Sequence, residues 1–190
     1  MLELAHRLDR ETSGLLIIAK KRSALTKLHD AFREGAINKR YLTLVKGRWH
    51  NPLQHVRLPL HKYLDGENQR RVSVSQEGKE AHSIVRLLKR WENFGLLEVE
   101  LKTGRTHQIR VHLAHLGFPL AGDDKYGDFS LNRELQKVGM KRMFLHAAKL
   151  NFLHPLTGQA ISLETPLPKE LQNFLIQLER NEKIDYGAAF

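Results

Sequence analysis

The chain has no cysteine, which excludes disulfides, thiolate nucleophiles and cysteine-ligated zinc. No apolar run approaches the ~20 residues that a helix needs to cross a bilayer, so no membrane partner is expected. The opening Met1-Leu2-Glu3-Leu4-Ala5-His6 has neither the basic start nor the apolar core of a signal peptide, and a cytoplasmic location is expected. Both glycine-rich phosphate loops are missing, the P-loop and the dinucleotide fingerprint. The nucleophile elbow is missing too, because Thr12-Ser13-Gly14 lacks its leading glycine. Phosphoryl transfer, dinucleotide redox chemistry and hydrolase-type acyl transfer therefore lose support. Acid is in short supply: 21 Asp and Glu face 31 Lys and Arg, a formal charge of +10. That excess favours a polyanionic partner, nucleic acid first, although a basic surface kept for solubility would look the same.

What is present reads as one ordinary globular domain spanning residues 1–190, expected to be a monomer. The 41% hydrophobic content suits a buried core, and no repeat or low-complexity linker divides the chain. Gly14-Leu-Leu-Ile-Ile-Ala-Lys20 predicts a buried strand. Ser23 is placed to cap a helix with Leu25, Leu28, Ala31 and Phe32 on one face, ended by Gly35. Lys39–Lys46 alternates as a strand does, and residues 51–78 read as loops and short strands around the turn Asp65-Gly66. Two longer strands, Ala81–Arg90 and Gly95–Lys102, form a hairpin. A helix is predicted over Thr106–His115, stopped by Gly117-Phe118-Pro119. After a polar loop from Gly122 to Ser130 come a short helix over Leu131–Val138 and strands over Phe144–Leu153 and Ala160–Glu164. A last helix covers Pro168–Glu182, followed by a frayed tail. Strands in neighbouring runs with scattered helices point to an α+β fold with a mixed, mostly antiparallel sheet.

Histidine is plentiful, at 11 residues. His112 and His115 lie three apart on one predicted helix, but no HExxH pattern or carboxylate partner accompanies them, so no metal is expected and polar or RNA contacts are favoured. His50, His55 and His61 are read as loop residues without a specific role.

Two segments carry chemistry. In His6-Arg7-Leu8-Asp9-Arg10, a carboxylate between two arginines is expected to stay ionised at neutral pH, ready to act as nucleophile or base. The plain alternative is a surface salt-bridge cluster. In Gly104-Arg105-Thr106-His107-Gln108-Ile109-Arg110-Val111-His112, donors and fixed cations crowd the start of a helix, where anionic groups are favoured. Its plain alternative is an amphipathic helix with a solvated basic face.

Taken in order, these segments resemble the motifs of the RluA superfamily of RNA pseudouridine synthases. Thr12-Ser13-Gly14, Lys39-Arg40-Tyr41, Gly117-x-Pro119, Gly122-Asp123, Tyr126-Gly127, Leu145-His146-Ala147 and His154-Pro155 continue the match. Val72–Lys79 and Asp123–Asp128 look closest to the RluC branch, which modifies large-subunit ribosomal RNA. The resemblance implies that Asp9 is the catalytic carboxylate, Arg110 its basic partner and Tyr41 a catalytic tyrosine that stacks on the target uracil and is a candidate base. It further implies that Arg7 fills the gap left by the flipped base and that Leu145 floors the pocket. Arg105, His107 and Gln108 are expected to contact the RNA substrate, with no cofactor and no metal. These synthases carry a further catalytic-domain segment, and in the RluC branch an S4-type domain, before the His-Arg-Leu-Asp motif. The chain is accordingly expected to be a shortened catalytic domain, with Met1 supplied for expression. Two rivals stand beside this reading: a glycosidase or nucleosidase pairing Asp9 with Glu11, and a non-catalytic RNA-binding module.

Overall fold

The computed structural model describes residues 1–181. In chain order the elements are β1 (Glu3–Leu4), β2 (Ser13–Gly14), β3 (Ile18–Ala19), α1 (Arg22–Arg33), β4 (Asn38–Lys46), β5 (Leu53–Arg57), β6 (Leu60–Leu64) and β7 (Arg70–Val74). There follow β8 (His82–Arg90), β9 (Phe94–Leu101), α2 (Gln108–His115), α3 (Phe129–Lys137), β10 (Leu145–Leu153), β11 (Ala160–Glu164) and α4 (Lys169–Arg180). The fold is α+β. A seven-stranded sheet runs β11-β10-β4-β9-β8-β5, with β2 also paired to β10. Every pairing in it is antiparallel except the short β2–β10 contact. Two small antiparallel pairs, β1–β3 and β6–β7, stand apart from it.

Strand alternation sorts β4 onto two cores. Tyr41 and Val45 pack with Leu97, Val99 and α2's Ile109 and Leu113. Leu44 faces the other way, onto Leu131, Leu135, Leu171 and Phe174 of α3 and α4. α1 lays Leu25 and Leu28 against Ile37 and Leu150. The main sheet is thus packed on both faces, and α2 brings Arg110 to the Asp9 segment.

Several sequence expectations change. The predicted strand over residues 14–20 is two dipeptide strands joined by an extended link. Leu15 and Ile17 turn inward, whereas Leu16 and Ile18 stay 40% and 52% exposed, because the segment leaves the main sheet after Leu15, whose N–H donates to the Ala147 carbonyl, and then pairs with β1. The α1 cap is Lys21, not Ser23: the first helical bond runs from Leu25 N–H to the Lys21 carbonyl at 3.0 Å. α3 begins two residues early, since the Asp128 side chain accepts from Leu131 N–H at 3.0 Å and acts as the N-cap. His55 and His61 lie on β5 and β6, not in loops, and His55 Nδ1 is 2.9 Å from His82 Nε2. The turn at Asp65 stands, its carboxylate accepting from Glu67 and Gln69 N–H. The end of the last helix at Glu182 and the frayed tail lie outside the described residues.

Gly14 makes the β2–β10 contact possible. Its φ is +116°, and a Cβ there would sit 2.2 Å from the Ala147 carbonyl oxygen. Gly14→Ala is expected to cost about 2–3 kcal/mol through backbone strain and displacement of β2, read as a lower denaturant midpoint. A shift below about 0.5 kcal/mol would mean that the Asp9 segment is not anchored through this pairing.

Candidate active site

Asp9 sits in a short turn closed by Thr12 N–H donating to the Asp9 carbonyl at 2.9 Å. Immediately downstream, β2 fastens that turn to the sheet. Ser13 Oγ lies 2.9 Å from His146 Nδ1, and His146 Nε2–H donates to the Thr165 carbonyl at 3.0 Å, so a buried histidine holds the strand in place. Upstream, Ile17 N–H donates to His6 Nε2 at 3.0 Å. Burial, helped by the neighbouring Lys39 charge, pulls the His6 pKa down to about 4, as suits a ring that must accept.

That depression has a pH consequence. Between the ordinary imidazole value of about 6.5 and about 4 the unfolded chain binds a proton that the folded chain refuses. The stability from His6 is therefore complete above pH 6.5 and lost as pH falls through 4. His6→Gln keeps an acceptor that does not titrate, and its denaturant midpoint is expected to vary less across this window than the parent's. Parallel pH profiles for the two proteins would rule out the assignment.

Across the cleft, the start of α2 supplies Arg110. It donates from Nε and Nη2 to both oxygens of Asp123, each at 2.8 Å, and from Nη1 to Asp9 Oδ2 at 3.3 Å. Burial opposes the charge on Arg110, but the hydrogen bonds and charge of Asp123, with help from Asp9, drive its pKa further above the usual value. Burial likewise opposes the Asp123 carboxylate, yet Arg110 and the Lys125 and Tyr126 N–H groups hold its pKa below the usual range. The result is a buried guanidinium shared between a structural carboxylate and a cleft carboxylate.

Tyr41 on β4 and Leu145 on β10 are both buried and both line the same cleft as Asp9. Burial, with Asp9's charge second, pushes the Tyr41 hydroxyl up to about 12. The phenol is therefore neutral at physiological pH. Arg7 is exposed at the cleft and forms no ion pair with the described residues. The cleft encloses about 1440 Å³ and is lined by eleven Lys and Arg against three Asp and Glu, a strongly cationic wall around one held carboxylate.

The structure gives some predicted contacts other tasks. Gln108 is buried with all its hydrogen bonds used internally. Its oxygen accepts from Thr103 Oγ and Arg105 N–H, and its nitrogen donates to the His82 carbonyl and Ser83 Oγ. It therefore shapes the Thr103–Gln108 turn and has no polar valence left for RNA. His112 is a core residue, with Nδ1 3.0 Å from Ser83 Oγ and Nε2–H donating to the Leu58 carbonyl at 2.8 Å. Neither an RNA contact nor a metal ligand fits it. Residues 108–113 are all buried, so α2 has no solvated basic face. Arg105 is half committed, its Nε donating to the Glu80 carbonyl at 2.9 Å. His107 faces Asp9 at 4.0 Å. Glu11 pairs with exposed Arg10 at 3.7 Å and lines the same cleft as Asp9, but only Asp9 is held by a buried arginine. Asp123 and Tyr126 gain their roles only from the structure; a carboxylate next to exposed Asp124 gives no sequence signal that it is the buried one.

A strongly basic cleft in which one carboxylate, Asp9, is paired to a buried arginine beside a buried tyrosine, on a mixed sheet, suits a polyanionic ligand. Comparison with known proteins specifies the class. Residues 1–115 match the family model described as RNA pseudouridylate synthase. The chain is 45% identical over 183 residues to Ribosomal large subunit pseudouridine synthase C of Yersinia pestis, covering 96% of this chain and 57% of that protein. It is 46% identical over 179 residues to the protein of the same name from Escherichia coli (strain K12), covering 93% and 56%. The solved structure of Human RNA Pseudouridylate Synthase Domain Containing 1 shares the fold, with TM-score 0.74 and 24% identity over 94% of this chain and 80% of that one. The chain belongs to the RNA pseudouridylate synthase family. It spans just over half the length of the curated relatives it matches.

Proposed function

We propose that this protein isomerises uridines to pseudouridine in large-subunit ribosomal RNA, with Asp9 as the catalytic carboxylate. The observation that carries this reading is the Asp123–Arg110–Asp9 chain, which aims one carboxylate into a cationic cleft beside Tyr41 and Leu145. Large-subunit RNA is chosen as substrate because the relatives bear that name.

The reaction breaks the N1–C1′ bond, turns the uracil and joins C5 to C1′. C1′ becomes electron-poor on the way, and a carboxylate beside it supports that charge, as in glycosidases. One carboxylate is enough because no water is activated; water must in fact be kept out, or the product is an abasic site. Arg110 orients Asp9 through its Nη1 bond to Oδ2. The target base has to leave the helical stack, at a cost of a few kcal/mol. Tyr41 stacks on the flipped uracil above Leu145, while exposed Arg7 takes the vacated place and Arg105 meets a backbone phosphate. The reaction is redox-neutral, consumes no nucleotide and asks for no metal or cofactor. A ribosomal substrate implies that the protein works in the cytoplasm, and it acts as a monomer, every residue given a role belonging to one chain.

The test is tritium release from ribosomal RNA labelled at uridine C5, because C5 loses its hydrogen only when it becomes the glycosidic carbon. Release with the RNA left intact is expected. Free uracil or abasic RNA would point to a hydrolase, and tight RNA binding without release would point to a binding module.

A further inference from the structure

His107 opens α2 in the left-handed region, at φ 54°, a conformation that a non-glycine residue keeps only when its surroundings hold it. Tyr126 provides the hold. Val72 N–H donates to the Tyr126 hydroxyl oxygen at 3.0 Å, and the same hydroxyl lies 2.7 Å from His107 Nδ1. Counting protons along this chain favours one tautomer, the one in which the phenol O–H also has an acceptor. The phenol has one proton, its oxygen already accepts from Val72, and among the described residues the acceptor it meets is His107 Nδ1. In that arrangement Nδ1 accepts, and in a neutral ring the remaining proton sits on Nε2. Burial keeps the ring neutral, lowering its pKa against the opposing pull of Asp9. Nε2 is 4.0 Å from Asp9 Oδ1, beyond hydrogen-bond reach, and both residues line the cleft. An N–H is thus held next to Asp9 without being consumed by it.

We propose that His107 is a second catalytic residue, whose neutral Nε2–H, fixed by Tyr126, donates to a carbonyl oxygen of the uracil as the base leaves C1′. This rests on the isomerase reading above. When the C1′–N1 bond breaks, its electron pair passes to the base and spreads over N1 and the carbonyl oxygens. The imidazole donates a hydrogen bond to that charge and keeps its proton. When C5 bonds to C1′ and gives up its proton to solvent, N1 takes a proton from solvent, so the product is an isomer of the substrate and the imidazole has no proton to recover. A donor already in place needs no reorganisation at that moment, which is why such groups count for more than water would. Tyr126 is a positioning residue, and through Val72 it also ties the β6–β7 hairpin to the active centre.

The test combines two measurements on the full chain. In ¹⁵N-histidine NMR near neutral pH, the His107 signals, assigned by their loss in His107→Gln, should show unprotonated Nδ1 and protonated Nε2. Tyr126→Phe should turn them into a tautomer mixture. In tritium-release kinetics, His107→Ala should lower kcat about 10²-fold with little change in KM. His107→Gln, whose amide nitrogen reaches about the place of Nε2, should recover at least about tenfold of that loss. Tyr126→Phe should lower kcat about tenfold. A protonated Nδ1 in the parent, or a His107→Ala effect confined to KM, would overturn the proposal. Absence of release from the parent chain would instead count against isomerisation itself, while the nitrogen spectrum would still decide the tautomer on which His107's role depends.

Discussion

Asp9→Asn is expected to reduce C5 tritium release by at least about 10⁴-fold, the scale on which loss of a single essential reacting group is measured, while leaving the fold in place. The separation of the two effects follows from how the carboxylate is held. Asp9 is tied to Arg110 by one 3.3 Å bond, whereas Arg110 keeps two 2.8 Å bonds to Asp123. Removing the Asp9 charge therefore orphans no buried group, and asparagine can still accept from Arg110 Nη1. The Asp9 side chain is also about a quarter exposed, so its contribution to stability belongs to the small range of partly solvated pairs, up to about 1 kcal/mol. RNA binding should persist, because the cationic lining of the cleft is unchanged. Retention of release by the variant would remove Asp9 from the chemistry; a fall in midpoint of several kcal/mol would mean that the carboxylate is structural.

Much of the architecture could be read from periodicity. The β8–β9 hairpin, the β4 and β10 strands and the turn at Asp65 all declare themselves through alternation or turn chemistry, and their bounds hold within a residue or so. The segment over residues 14–20 misled because an apolar run looks the same whether a strand is buried on both faces or paired at an edge. α2 misled in the opposite way. Its histidine, arginine and glutamine suggest a solvated face, yet the helix is packed between β8 and the β6–β7 hairpin, where Ser83, Leu58 and Asp123 satisfy those side chains one by one. Those partners lie 13 to 54 residues away in sequence, and no local pattern announces them. For the same reason Asp9, Arg110 and Tyr41 were legible as candidates, from resemblance and residue type, whereas Asp123 and Tyr126 needed the three-dimensional pairing before either acquired a task.

Asp123→Ala is expected to do what Asp9→Asn does not: destabilise the protein by about 3–5 kcal/mol, the cost of leaving a buried charge without its partner. Arg110 is only 6% exposed and Asp123 is fully buried, so water cannot replace the lost carboxylate. The Lys125 and Tyr126 N–H groups lose their acceptor as well. Activity should fall with stability, because Arg110 would be free to swing toward Asp9 and change its orientation. Adding Arg110→Met should recover part of the stability, since it removes the orphaned charge, but none of the activity. The pH dependence has a defined sign. Arg110 depresses the folded-state pKa of Asp123, so the stabilisation is present above the unfolded carboxylate range and is lost as pH falls through the lower folded value. The parent's stability should accordingly decline in acid more steeply than that of the double variant. Denaturant midpoints at neutral and acid pH for the parent, the single and the double variant check all of this. A loss under about 1 kcal/mol in Asp123→Ala, or a double variant no more stable than the single, would show that Asp123 does not hold Arg110 in place and that Asp9 takes its orientation from elsewhere.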